Sequence, residues 1–130
     1  MIFIDSNIAM YLVGAPHPHK ADAQRLVETA VARHERLVSN VEVFQEILHR
    51  YVAIRRVDAI QPAFDALTGV LDEVFPVEMR DIERAKTIVY GKHVSARDAL
   101  HAATMEHHGV SQIMTFDSGF DALPGLTRIF

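Results

Sequence analysis

Residues 2–7 read Ile2-Phe3-Ile4-Asp5-Ser6-Asn7, three apolar side chains running straight into a carboxylate and two further polar groups. A short, uninterrupted apolar run is the pattern of a strand buried on both faces. An acid directly behind it falls at the strand's carboxyl end, where α/β sheets open their ligand crevice. The same position suits an ordinary helix N-cap, because an Asp side chain accepts from the first free N–H groups of a helix. Which reading holds depends on what the rest of the chain brings to that edge.

Working outward, residues 6–13 read as a short helix ended by Gly14 and the loop APHPHK. Ala23, Leu26, Val27, Ala30 and Val31 give helical spacing over 19–35, and RLVS (36–39) is a second strand. Ser39 or Asn40 can cap a helix over 40–56, with Glu42 as the partner in a Ser39-x-x-Glu42 capping box. Asp58 with Gln61 predicts a capped helix over 58–74. VFPVE (74–78) is a weak strand, and 79–91 and 95–109 are helices. VSQIMTF (110–116) is a clear strand, and LTRIF (126–130) closes the sheet at an edge. Strands separated by helical crossovers predict a three-layer α/β/α sandwich around a mostly parallel sheet. The second strand-end acid of this arrangement is Asp117, behind IMTF.

The chain has 130 residues, 49% hydrophobic and 23% charged, with no repeat or linker, so residues 1–130 are expected to form one domain. No apolar run is long enough for a membrane span, and the start lacks the basic flank of a signal peptide, which predicts a cytoplasmic protein. The absence of cysteine excludes disulfides, thiolate metal sites and Cys nucleophiles. A formal charge of −4 excludes nucleic-acid binding through a general basic surface, so a phosphate partner must be met locally. No G-x-S-x-G, G-x-G-x-x-G or Walker-type run is present. Of the eight histidines, His17-x-His19 and His107–His108 are spaced for metal but lack a third ligand nearby, and none is assigned to that role.

Acids are the remaining chemistry. Asp98 has the N3 position of a Ser95-x-x-Asp98 box, yet it aligns with Ala102 and Met105, while Arg97, His101, Thr104 and His108 make the polar side of that helix. A carboxylate at a helix start is favoured in its ionised form. Glu46 lies opposite the stripe of Phe44, Ile47, Leu48, Tyr51 and Val52, so periodicity alone reads it as solvated. Asp117 and Asp121 are both at home in a Gly-containing turn.

The ordered set of Asp5 in IFIDSN, Glu46 in VFQEILHRY, Asp98 in SARDALHAA and Asp117 in IMTFDSGFD resembles the PIN-domain ribonucleases, more closely the VapC-type toxins of bacterial toxin–antitoxin modules. The resemblance covers the whole chain and implies an acidic metal cluster of Asp5, Glu46, Asp98 and Asp117. Thr115, Asp121 and Asn7 would be accessories, with Glu42 competing for the place of Glu46. Two carboxylates about 4 Å apart repel by about 4 kcal/mol at an effective dielectric of 20, so such a cluster calls for cations. All-oxygen ligands suit Mg²⁺ or Mn²⁺. The implied activity is hydrolysis of RNA by a metal-activated water, leaving 5′-phosphate and 3′-hydroxyl ends. Arg50, Arg55 and Arg56 would follow the RNA backbone. A VapB-like antitoxin and a homodimer are the implied partners. Two other readings compete: a catalytically inactive PIN-like module that binds RNA or protein, and a haloacid-dehalogenase-like phosphatase with Asp5 as nucleophile. The second would place an acid where this chain has Asn7.

Overall fold

The computed structural model describes all residues 1–130. Five strands form one sheet: β1 (Ile2–Ile4), β2 (Leu37–Asn40), β3 (Glu73–Phe75), β4 (Gln112–Met114) and β5 (Thr127–Ile129). Their order is β3-β2-β1-β4-β5, and every neighbouring pair is parallel. The central strands are the apolar runs seen in the sequence. Phe3, Ile4, Val38 and Ile113 are completely buried, as strands covered on both faces require.

Six helices cover the sheet: α1 (Ser6–Val13), α2 (Pro18–Ala32), α3 (Val41–Ala53), α4 (Ile60–Thr68), α5 (Met79–Gly91) and α6 (Ala96–His107). The connections from β1 to β2 and from β2 to β3 step one way, and the β3-to-β4 connection steps back. With right-handed crossovers this puts α1–α4 on one face and α5 and α6 on the other. The helix contacts agree, since α1 packs on α2, α3 and α4, and α5 packs on α6. The chain therefore reverses direction between β1 and β4, and a crevice opens beyond their carboxyl ends.

Local chemistry moves several boundaries from their sequence-based positions. The expected Ser39-x-x-Glu42 box does not form. Asn40 caps α3 by accepting from the Val43 N–H at 2.9 Å, and the Ser39 hydroxyl instead donates to the Ile4 carbonyl on β1. Asp58 does not cap a long helix either, because its carboxylate is paired with Arg56 in a short 3₁₀ turn, and Gln61 donates to Asp65. Helix α4 stops at Thr68, leaving Asp72 to accept from the Leu37 N–H and align β3. Helix α2 starts at Pro18 with His17 as its cap, and His34, just past its end, takes a left-handed φ of 56°.

Phe3 sits at the centre of this core. Phe3→Ala is expected to lower unfolding free energy by about 3–5 kcal/mol, read as a fall in the urea midpoint with an unchanged slope.

Candidate metal centre

Asp5 leaves β1 at the crevice and caps α1, accepting from the Ser6 N–H at 2.7 Å. The cap occupies one oxygen only. The other oxygen accepts from the Thr115 hydroxyl at 2.7 Å and from the Asn7 amide at 3.3 Å. Thr115 follows β4 and is itself held by Asn7 Nδ2 at 2.9 Å, while Asn7 Oδ1 accepts from the Phe116 N–H. The start of α1 and the end of β4 are thus joined through Asp5.

Glu46 corrects the reading from periodicity. It is buried, only 8% exposed, while Leu48 and Val52 from the supposed core stripe are exposed. Ile47 and Tyr51 of that stripe stay buried, and Glu46 is buried beside them because it finds donors there: Ser6 Oγ at 2.7 Å and His101 Nε2 at 2.7 Å. Glu42 stays outside the cleft, so the structure brings the later of the two glutamates to the cluster. The polar side expected for α6 is also wrong in part. His101 and Thr104 are completely buried against the sheet, because partners wait for them there.

Asp98 lies in the first turn of α6, where its N–H donates to the Ser95 hydroxyl, which forms half of the expected box. Asp117 stands exposed at the rim, with Oδ1 accepting from the Gly119 N–H at 2.8 Å. Gly119 carries information the sequence reading missed. A Cβ there would lie 3.0 Å from Asp117 Oδ1 and 3.3 Å from Asp98 Oδ2, so the absent side chain leaves room for both carboxylates.

Together these residues line a cleft of ≈ 380 Å³ that contains Asp5, Glu46, Asp98 and Asp117 with Ser6, Asn7, Arg50 and Arg97. Ligand atoms of Asp5, Glu46 and His101 come within 4.8 Å of one another. Four predicted residues do not line the cleft. Thr115 is buried behind Asp5, Asp121 is paired with Arg128 at 3.0 and 3.1 Å, Arg56 is paired with Asp58, and Arg55 occupies a left-handed turn at φ 58°.

The electrostatics follow from this crowding. Burial, reinforced by Glu46, pushes the Asp5 carboxyl up despite His101 and Thr115. Burial acts the same way on Glu46, but the His101 and Ser6 donors outweigh it and hold Glu46 below the usual carboxylate range. Asp98 is pushed up to about 6 by burial and by the charges of Asp117 and Asp5. His101 is raised by the Glu46 hydrogen bond and the Asp5 charge against its complete burial. A cluster that resists its own ionisation, with oxygens facing a polar cleft, is compatible with a divalent cation.

Two outcomes are expected. Because the folded Asp98 value lies above the ordinary 3.8, the folded chain keeps a proton that the unfolded chain has lost. Stability of the metal-free protein should therefore fall as pH rises from about 4 to about 6. Manganese binding should strengthen over the same interval, since a ligand must be ionised. Thermal melting with and without Mn²⁺ at about pH 5 and about pH 7.5 checks both, and Asp98→Asn should flatten both trends. Gly119→Ala should weaken Mn²⁺ binding about 10-fold, measured by calorimetry, with little change in melting temperature.

Comparison with known proteins agrees with the geometry. The PIN domain profile matches residues 2–126. The chain is 59% identical over 130 residues to "Ribonuclease VapC13" of Mycobacterium tuberculosis, covering 99% of each. The crystal structure of Mycobacterium tuberculosis VapC20, described as a sarcin-ricin loop cleaving toxin, superposes with a TM-score of 0.78 at 21% identity, over 95% of each chain. VapBC2 from Rickettsia felis, bound to a fragment of promoter DNA, shares the fold at a TM-score of 0.74 and 16% identity, over 99% of this chain and 98% of that one. With its acids at the carboxyl edge of an all-parallel sheet, the chain belongs to the PIN-domain family and, within it, to the VapC ribonucleases.

Proposed function

We propose that the protein is a divalent-metal-dependent endoribonuclease that hydrolyses RNA phosphodiester bonds in this cleft and acts as the toxin of a toxin–antitoxin pair. The observation that carries the reading is the meeting of Asp5, Glu46, Asp98 and Asp117, from four separate parts of the chain, in one cleft of a VapC relative. Mg²⁺ or Mn²⁺ suits the all-oxygen donors on offer. When bound, such an ion supplies an activated water and offsets charge developing on the phosphoryl oxygens.

The chain's own residues divide the remaining work. Asp5 and Asp98 are the primary ligands, and Asp117 at the rim keeps Oδ2 free of protein donors. Glu46, ionised and fixed by two donors, completes the negative site and orients what enters it. Thr115 and Asn7 set the angle of the Asp5 carboxylate. Arg50 and Arg97 line the same cleft and offer cations to the phosphates beside the scissile one. The formal negative charge of the chain is then no obstacle, because phosphate meets positive charge only where it is cut.

A VapB-like antitoxin that covers this cleft is the proposed partner, supported by the VapC relatives. A homodimer is proposed on the family likeness alone. No helix is long and apolar enough to cross a membrane, in keeping with a proposed cytoplasmic location. The competing readings lose ground at specific residues. All four acids of the cluster are present, which disfavours an inactive module. Asn7 stands where a phosphatase would need a second acid, and it serves as a donor to Asp5.

Purified protein should cleave structured RNA with Mg²⁺ or Mn²⁺ and not with EDTA, leaving 5′-phosphate and 3′-hydroxyl ends. Asp5→Asn and Asp98→Asn should each lose more than the roughly 10–100-fold typical of residues that only support a ligand. Metal-independent cleavage, or full activity in both variants, contradicts the proposal.

A further inference from the structure

His101 is the one imidazole in the acidic cluster, and it has two conceivable jobs there. Its Nε2 lies 2.7 Å from Glu46 Oε1 and 3.9 Å from Asp5 Oδ1, close enough for the three residues to share a cation. A metal ligand, however, must present a ring nitrogen without a proton. The hydrogen bonds behind the ring decide which nitrogen that is.

They can be read in order from the backbone. The Val43 N–H points at Asn40 Oδ1 from 2.9 Å, and a backbone amide can only donate. That fixes the Asn40 side chain with its NH₂ group toward α6. The two Nδ2 protons go to Thr104 Oγ1 at 3.3 Å and to His101 Nδ1 at 3.1 Å. Thr104 is consistent with this direction, since its own proton goes to the Leu100 carbonyl at 2.9 Å and its lone pair is left to accept. His101 Nδ1 is therefore an acceptor, and the ring proton is on Nε2, facing Glu46. A second proton on the ring would leave this one in place. Turning the tautomer round would set an Nδ1–H against the Asn40 NH₂, and flipping that amide would forfeit the α3 cap.

We propose that His101 is a positioning residue and not a metal ligand: through Nε2–H it fixes the Glu46 carboxylate, and Asn40, anchored by Val43 and Thr104, fixes His101. The chain of donors ends at the cluster, where Ser6 Oγ holds the second Glu46 oxygen at 2.7 Å. Glu46 is thereby held in one rotamer with both oxygens hydrogen-bonded, its charge fixed beside the aspartates. Phe3 and Phe120 flank the imidazole at 5.4 and 6.5 Å between ring centres and keep water from competing for the bond. The capping asparagine of α3 so reaches the site through α6, which couples one helix layer to the other.

This inference rests on the metal-site reading above, and its test separates the two. Long-range ¹H–¹⁵N spectra of the wild-type imidazoles should show His101 with its proton on Nε2, and adding Mg²⁺ should leave that nitrogen protonated. A proton found on Nδ1 alone, or lost from Nε2 on adding Mg²⁺, overturns the inference. Failure of Mg²⁺ and Mn²⁺ to bind the wild-type protein at all would instead overturn the metal-site reading, and the metal-free spectrum would still judge His101. His101→Gln keeps an N–H donor toward Glu46 and should retain most of the Mn²⁺ affinity measured by calorimetry. His101→Ala should lose about 10–100-fold. Equal loss in the two variants, with melting temperatures close to wild type, contradicts a donor role.

Discussion

Mutual repulsion among carboxylates gathered at one edge of the sheet is the constraint around which the rest of the molecule is arranged. The effect adds to the cost of burial at Asp98, which is pushed up to about 6 by burial first and then by the charges of Asp117 and Asp5. The protein meets that cost with donors where the backbone and nearby side chains can supply them. Ser6, Asn7 and Thr115 serve Asp5, and Ser6 and His101 serve Glu46. At Asp98 and Asp117 the donors are few, and those oxygens are the ones proposed to meet a cation.

The fold makes this gathering possible by topology. Because β1 and β4 are neighbours whose connections leave in opposite directions, α1 and the segment after β4 diverge around the crevice, and α3 and α6 reach it from opposite layers. Glu46 and His101 meet there across the end of the sheet, and their hydrogen bond is a tie between layers as well as part of the site. A local change at Asn40 or Thr104, neither of which lines the cleft, is therefore expected to be felt by the acids.

Much of this was legible in the sequence, for reasons that can be named. The continuous apolar runs IFI and IMT mark strands covered on both faces, and the acids behind them mark the crevice. Strands alternating with helices imply a mostly parallel sheet, and β5, reached through a short 3₁₀ segment with no crossover helix, is parallel as well. Glu46 and His101 were less legible because helical periodicity measures burial by apolar character alone. A polar side chain with buried partners then reads as solvent-facing, and those partners, Asn40 for His101 and Ser6 for Glu46, lie tens of residues away on other elements. The capping boxes at Ser39 and Asp58 failed for a related reason: Ser39 found the Ile4 carbonyl and Asp58 found Arg56. The space at Gly119 had no sequence signal at all beyond a glycine two residues after an acid.

These acids are proposed to form a binding site for a divalent cation. Anomalous diffraction from crystals grown with Mn²⁺ tests it most directly. A manganese peak among the carboxylates of Asp5, Asp98 and Asp117, lost in Asp98→Asn, is the expected result. No peak in this cleft at saturating Mn²⁺, or one confined to the His17–His19 loop, would contradict it.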